Sequence, residues 1–165
     1  MEQLPIKIRE LRDGDVSFIL ATWKTTLREA QEYKWVPKAA YFAEVNRRLD
    51  PLVERSLKVG DPMIMIACSP FDDDQIVGWL CFDKAVHYCF VKEPFRQQQV
   101  ASRMMIHTGF LKEGLEIPCT HWSRALERIA ETYPLRYTPS KLDKHKQLRS
   151  SSRPRGFTHE HRQDS

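Results

Sequence analysis

Residues 86–106, V-H-Y-C-F-V-K-E-P-F-R-Q-Q-Q-V-A-S-R-M-M-I, hold the pattern best suited to chemistry. Val86 to Val91 is an unbroken run of strand formers, and it stops at Pro94, which has no amide proton for a ladder and fixes its own φ. After a short turn, Val100, Met104 and Met105 fall at helical spacing, so a helix is expected to open at Gln97 and run to about Lys112, ending at Gly114. A strand that turns directly into a helix leaves the first helical amides unpaired and aimed at one spot. Such a spot attracts anions, phosphates above all. Arg96 adds a cation at the turn, and Arg103 is a second candidate. The expected chemistry is capture of a phosphate-bearing ligand.

Holding that turn in place requires a sheet, and the rest of the chain supplies one. Residues 4–11 alternate apolar and polar, predicting a first strand with Leu4, Ile6, Ile8 and Leu11 inward. R-D-G-D is a turn in which Asp13 or Asp15 is a candidate helix cap. Val16, Ile19, Leu20, Trp23 and Leu27 predict an amphipathic helix to about Glu32. A loop with Tyr33, Trp35 and Pro37 leads to a second helix, reaching Val59 with Tyr41, Phe42, Val45, Leu49, Leu52 and Val53 at its apolar positions. Pro51 is expected to kink or divide it. Gly60-Asp61-Pro62 breaks the chain before a wholly apolar strand at 63–68, a turn at 69–74 and a third strand at 75–82. Beyond residue 106, I-P-C-T-H at 117–121 predicts a fifth strand. A helix follows, capped by Ser123, with Leu126, Ile129 and Ala130 inward, and 135–139 adds an edge strand.

Composition bounds the rest. At 165 residues, with 41% hydrophobic and 29% charged side chains, the chain is one globular domain with room for a core. No apolar run approaches a membrane span and M-E-Q-L-P-I-K lacks a signal core, so a cytoplasmic protein with no membrane partner is expected. Cys68, Cys81, Cys89 and Cys119 sit in strand-like surroundings without a CxxC pair, which predicts buried thiols. Asp72, Asp73 and Asp74 lack the spaced ligands and glycine of a calcium loop, so no metal is expected. Residues 1–140 form the domain and carry equal numbers of basic and acidic side chains. The net charge of +4 lies in residues 141–165, a serine-rich tail with seven Lys/Arg. It is expected to be flexible, with a partner protein or nucleic-acid phosphates as candidate contacts.

V-K-E-P-F-R-Q-Q-Q-V-A resembles the acetyl-CoA-binding segment of the GNAT acetyltransferases, in which a strand leads into R/Q-x-x-G-x-G/A at the start of a helix. Arg96 and Ala101 match the ends of that pattern, Val100 suits its apolar slot, and Gln99 stands where the family has its first glycine. I-V-G-W-L at 76–80 and the opening I-K-I-R-E-L-R-D-G-D are similar to other GNAT segments. The order β-α-α-β-β-β-α-β-α-β agrees with that family over residues 4–139, which implies an α/β (α+β) fold with a mixed, mostly antiparallel sheet flanked by helices.

The resemblance further implies that the fourth and fifth strands splay apart around acetyl-CoA. Phe90 and Val91 would pair with its pantetheine, and Arg96, Gln97, Gln98, Gln99, Val100, Ala101 and Ser102 would hold its pyrophosphate. The loop and helix after the first helix would form a wall of the acceptor cleft. The reaction implied is acetyl transfer to an amine of unknown identity, with the proton leaving through water or a side chain. His87, Glu93 and His121 are the candidate bases beside that cleft. The tyrosine acid of many GNAT enzymes corresponds by count to Ile129, and Tyr133, one turn on, is the substitute. A second reading stays open: a catalytically degenerate GNAT-fold scaffold, similar to phage-borne proteins and acting as a virion component.

Overall fold

The computed structural model describes residues 2–30, 33–111 and 115–138. The tail at 141–165, with every expectation placed on it, lies outside the described residues, as does Gly114. The order is β1 (Lys7–Glu10), α1 (Val16–Arg28), α2 (Lys38–Val59), β2 (Met63–Ser69), β3 (Asp72–Phe82), β4 (Val86–Val91), α3 (Val100–Thr108), β5 (Ile117–Cys119), α4 (Arg124–Ala130) and β6 (Leu135–Tyr137). The six strands form one sheet in sequence order, antiparallel from β1 to β4 and parallel from β4 to β6. This is the expected mixed, mostly antiparallel architecture, with the expected element order.

A core lies on each face. Ile19 and Trp23 of α1, Val45 and Val53 of α2, and Ile64, Ile66, Trp79 and Tyr88 of the sheet make one. Met104 and Met105 of α3 and Leu126 and Ile129 of α4 pack on Leu80, Val86 and Cys89 to make the other. Each such side chain removed from water is worth about 1.5–3 kcal/mol. The apolar run of β2 serves both cores, Ile64 and Ile66 in one and Ala67 in the other. All four cysteines are buried and free.

Two threonines of α1 satisfy the polar tips of Trp79 and Tyr88 in the first core. Trp79 Nε1 donates to Thr22 Oγ1 at 3.0 Å, and Thr22 donates on to the Phe18 carbonyl. Thr26 Oγ1 donates to the Thr22 carbonyl at 2.7 Å, so it accepts from the Tyr88 hydroxyl, also at 2.7 Å. Trp23 stacks on Tyr88 with 5.3 Å between ring centroids.

Several expected boundaries move, each for a local reason. α2 runs unbroken through Pro51, which is exposed, where water can satisfy the carbonyl left without a donor. Asp15 makes no side-chain cap on α1, because its carboxylate is taken by Arg9. α3 starts at Val100, three residues later than expected, and stops at Thr108. Gly109 adopts φ 80°, and the amides of Gly109 and Phe110 donate to Ile106 and Met105 in a Schellman-type closure. The paired parts of β1 and β6 are shorter than expected and β3 is longer, beginning at Asp72. β5 ends at Cys119 rather than His121, and Ala130 is exposed rather than inward. Tyr41 is buried, while Trp35 is 87% exposed.

Candidate cofactor cleft

The site begins with a break in the sheet. β4 and β5 share one register pair, Val86 with Cys119, followed by the Thr120 amide donating to the Val86 carbonyl at 3.0 Å. Beyond that rung the strands part, and among the described residues β4 has no strand partner on its β5 side. A cleft of about 1120 Å³ opens in the gap. β4 from Tyr88 to Val91 forms one side, and His121, Trp122 and the face of α4 form the other. The C-terminal turn of α1 and the turn into α3 close its ends.

The turn into α3 carries an unusual backbone. Gln97 and Gln99 both have positive φ, 70° and 59°, the region that favours glycine. Such residues cost about 1–3 kcal/mol each and persist only where their surroundings require them. Alternating hand turns successive amides toward one point and makes an anion-binding concavity. The amides of residues 97–102 have no hydrogen-bond partner among the described residues, and the first α3 bond from this turn is that of Arg103 to the Gln99 carbonyl at 2.9 Å. Arg96 is steered by its Nε, which donates to the Val91 carbonyl at 3.1 Å and keeps the guanidinium at the cleft. This is the arrangement that the resemblance in sequence implies.

Of the residues expected to hold a cofactor, Phe90, Val91, Arg96, Gln97, Gln99, Val100, Ala101 and Ser102 line this cleft. Gln98 does not, and its Nε2 donates to the Pro94 carbonyl at 3.2 Å. Arg103 is turned away, donating from Nη1 to the Leu4 carbonyl. The Val91 carbonyl accepts from Arg96 Nε, which takes one of its two lone pairs. Among the candidate bases His121 lines the cleft, while Glu93 is exposed in a 3-10 turn outside it and Tyr133 packs against the α3–α4 core. His87, on β4 itself, is fully buried and does not line the cleft.

Sequence reasoning missed Thr26, Glu29, Tyr88, Trp122, Arg124 and Arg128 as lining residues. Their places depend on how α1 and α4 approach β4, and periodicity carries no sign of that. Tyr88 is the partial exception, since a strand next to the candidate turn must show alternate side chains to whatever lies beside it. Burial pushes its hydroxyl up to about 12, and the proton is committed to Thr26. At the rim, Arg124 Nη2 and Glu29 Oε2 stand 3.5 Å apart across the mouth, an exposed pair worth little to stability. Trp122 stacks on Tyr137 beside it.

No family model and no curated protein matches the chain. Among solved structures, it is similar to a GCN5-related N-acetyltransferase from Rhodopseudomonas palustris, at 12% identity over 79% of this chain and 82% of that one, with TM-score 0.48. It is also similar to the PaiA N-acetyltransferase of Thermoplasma acidophilum in complex with coenzyme A, at 11% identity over 64% and 70%, with TM-score 0.45. A third is apo YjaB of Escherichia coli, at 21% identity over 65% of each chain, with TM-score 0.41. At such values the likeness is loose, and function rests on the geometry of the cleft. Among the described residues no group of His, Cys, Asp or Glu is placed to hold a metal, and no helix is long and apolar enough to cross a membrane.

Proposed function

We propose that the chain is an acetyl-CoA-dependent N-acetyltransferase acting on an amine through this cleft. The observation that carries the reading is the pair of left-handed glutamines. Gln97 and Gln99 hold the backbone shape that glycines give related phosphate turns, and the amides of residues 97–102 are left for an anion. The resemblance in sequence supports the same assignment.

The residues present fit such a ligand in three respects. The 97–102 amides and the Arg96 guanidinium offer donors and charge to a pyrophosphate. The unpaired edge of β4 offers backbone groups to an extended amide-bearing arm, as an added strand would meet them. The cleft volume exceeds what a drug-sized ligand fills. Acetyl-CoA supplies the thioester that makes the acetyl group transferable. On the protein's side, the requirements are to place the amine and to remove its proton. His121 is the titratable imidazole in the cleft wall, and its position suits the second task. The mixture of Glu29, Glu127 and Arg124 along the far wall gives the acceptor no single charge signature.

Calorimetric titration with acetyl-CoA tests the reading. Micromolar binding, weakened at least tenfold by Arg96→Glu, is the expected result. Absence of binding at millimolar ligand would overturn it and leave a GNAT-like scaffold without this activity.

A further inference from the structure

The cleft wall at His121 continues into the protein as a chain of side chains. His121 Nδ1 lies 3.1 Å from Thr120 Oγ1, and the same oxygen lies 3.0 Å from His87 Nδ1. His87 Nε2 lies 2.9 Å from Asp83 Oδ2. His87 and Thr120 are fully buried, while the Asp83 side chain is 24% exposed. The four groups therefore link the cleft to water across the β4–β5 rung.

Valence allows one arrangement of protons that runs through all four groups. A carboxylate only accepts, so His87 Nε2 carries hydrogen, and in a neutral ring Nδ1 then holds the lone pair. In this arrangement that lone pair takes the Thr120 hydroxyl proton, whose other acceptor is the His87 carbonyl at 3.5 Å. The Thr120 oxygen can then only accept from His121, so His121 Nδ1 carries hydrogen and its basic lone pair is on Nε2.

We propose that Asp83, His87, Thr120 and His121 form a proton relay serving the amine acceptor, an inference that rests on the acetyltransferase reading. As the amine nitrogen bonds to the thioester carbonyl carbon, its N–H bond breaks and a bond forms to His121 Nε2. The Nδ1 proton of His121 moves to Thr120 Oγ1, and the proton that Thr120 held moves to His87 Nδ1. Nothing is oxidised or reduced. The amine, His121 and Thr120 end neutral, and His87 ends as an imidazolium against the Asp83 carboxylate. As the C–S bond breaks, the proton returns along the same path through His121 Nε2 to the sulfur, which restores every tautomer.

A buried imidazolium is costly without a partner, and Asp83 is that partner. The strands beside β4 bring the thiols of Cys81 and Cys119, which burial pushes up and keeps neutral, Cys119 to about 11. The layers packed on β4 present Trp23 from α1, Met104 from α3 and Leu126 from α4, all uncharged. His121 acts on the amine as a catalytic residue, and the other three act through it.

Long-range proton–nitrogen NMR of the imidazoles in the full chain tests the relay without knowledge of the acceptor. His121 should appear as the Nδ1–H tautomer and His87 as Nε2–H. Asp83→Asn should lower the titration midpoints of both. In Thr120→Val the effect of Asp83→Asn should reach His87 only, and Thr120→Ser, which keeps the hydroxyl, should restore transmission to His121. An Nε2–H tautomer at His121, or a midpoint there indifferent to Asp83→Asn, overturns the proposal. Acetyl-CoA binding measured alongside separates the two failures. Binding without coupling removes the relay alone, and coupling without binding removes the transferase reading and the catalytic relay with it.

Discussion

Arg9 and Asp15 meet as a buried bidentate pair, Nη1 to Oδ2 at 2.7 Å and Nη2 to Oδ1 at 2.9 Å. Asp15 Oδ2 also accepts the Arg12 amide at 2.8 Å, and Arg9 Nη2 donates to the Asp73 carbonyl at 2.8 Å. One ion pair thus joins the end of β1, the turn before α1 and the start of β3.

Breaking this pair from one side leaves a buried charge, so Asp15→Ala should cost about 3–5 kcal/mol. Burial alone would push the Asp15 carboxyl up, but the hydrogen bonds from Arg9 and the Arg12 amide, with their charge, hold it below its ordinary value. An acid depressed by folding contributes its stability above its unfolded pKa of about 3.9, and that stability is lost as pH falls through the folded value. Urea midpoints at neutral pH and near pH 3 should therefore fall steeply in wild type. In Asp15→Asn the same interval should be flatter. An equal slope in the two proteins would remove the pair as a source of acid lability.

The left-handed turn gives a second expectation. Replacing Gln99 by glycine removes the steric cost of φ 59° and should leave stability equal or higher by up to about 1 kcal/mol. Acetyl-CoA affinity should rise a few fold, since a Cβ no longer stands beside the amides. Gln99→Val should do the reverse, because a β-branched residue tolerates this region least. Thermal melts and calorimetry on the two variants check both directions, and a valine that binds as well as glycine would contradict them.

Gly78 gives a third. A Cβ built there would lie 2.7 Å from the Phe90 carbonyl oxygen, closer than any real contact. Backbone cannot yield as a side chain can, so Gly78→Ala must push β4 away from β3. A loss of about 1–3 kcal/mol in denaturant unfolding is expected. Because Gly78 pairs with Val91, the shift reaches the wall of the cleft, and acetyl-CoA binding should weaken as well. Unchanged binding in a destabilised variant would show that the wall and the ligand are independent.

The sequence displays β4 plainly, because an unbroken run of strand formers ending before Pro94 leaves little else to form. The turn after it reads as a candidate anion site, but its backbone shape does not show in the sequence. Glutamine is a good helix former, so Gln97 reads as helix, and only tertiary contacts hold it and Gln99 in a glycine conformation. Asp15 reads as a cap because a cap is a local device, whereas its actual partner is set by the approach of β1 to β3. Glu93 is a candidate for lying beside a strand that borders the cleft and Tyr133 by count along its helix, and neither signal says that one faces water and the other the core. His121 was chosen for lying beside a strand that borders the cleft, and Thr120 and His87 behind it appear only when β4 and β5 are placed side by side.

The lone rung between Val86 and Cys119 has a mechanical consequence. It acts as a suture between a four-stranded panel and a small flap of β5, α4 and β6, which otherwise adheres through the side chains of one core, the contact of Thr120 with His87 and the exposed Arg124–Glu29 pair. Anything extended that lies along β4 acts as an interpolated strand, supplying the stitches the protein omits. Ligation and closure of the flap then become one event, and hydrogen exchange in β5 and β6 would slow when the cleft is filled.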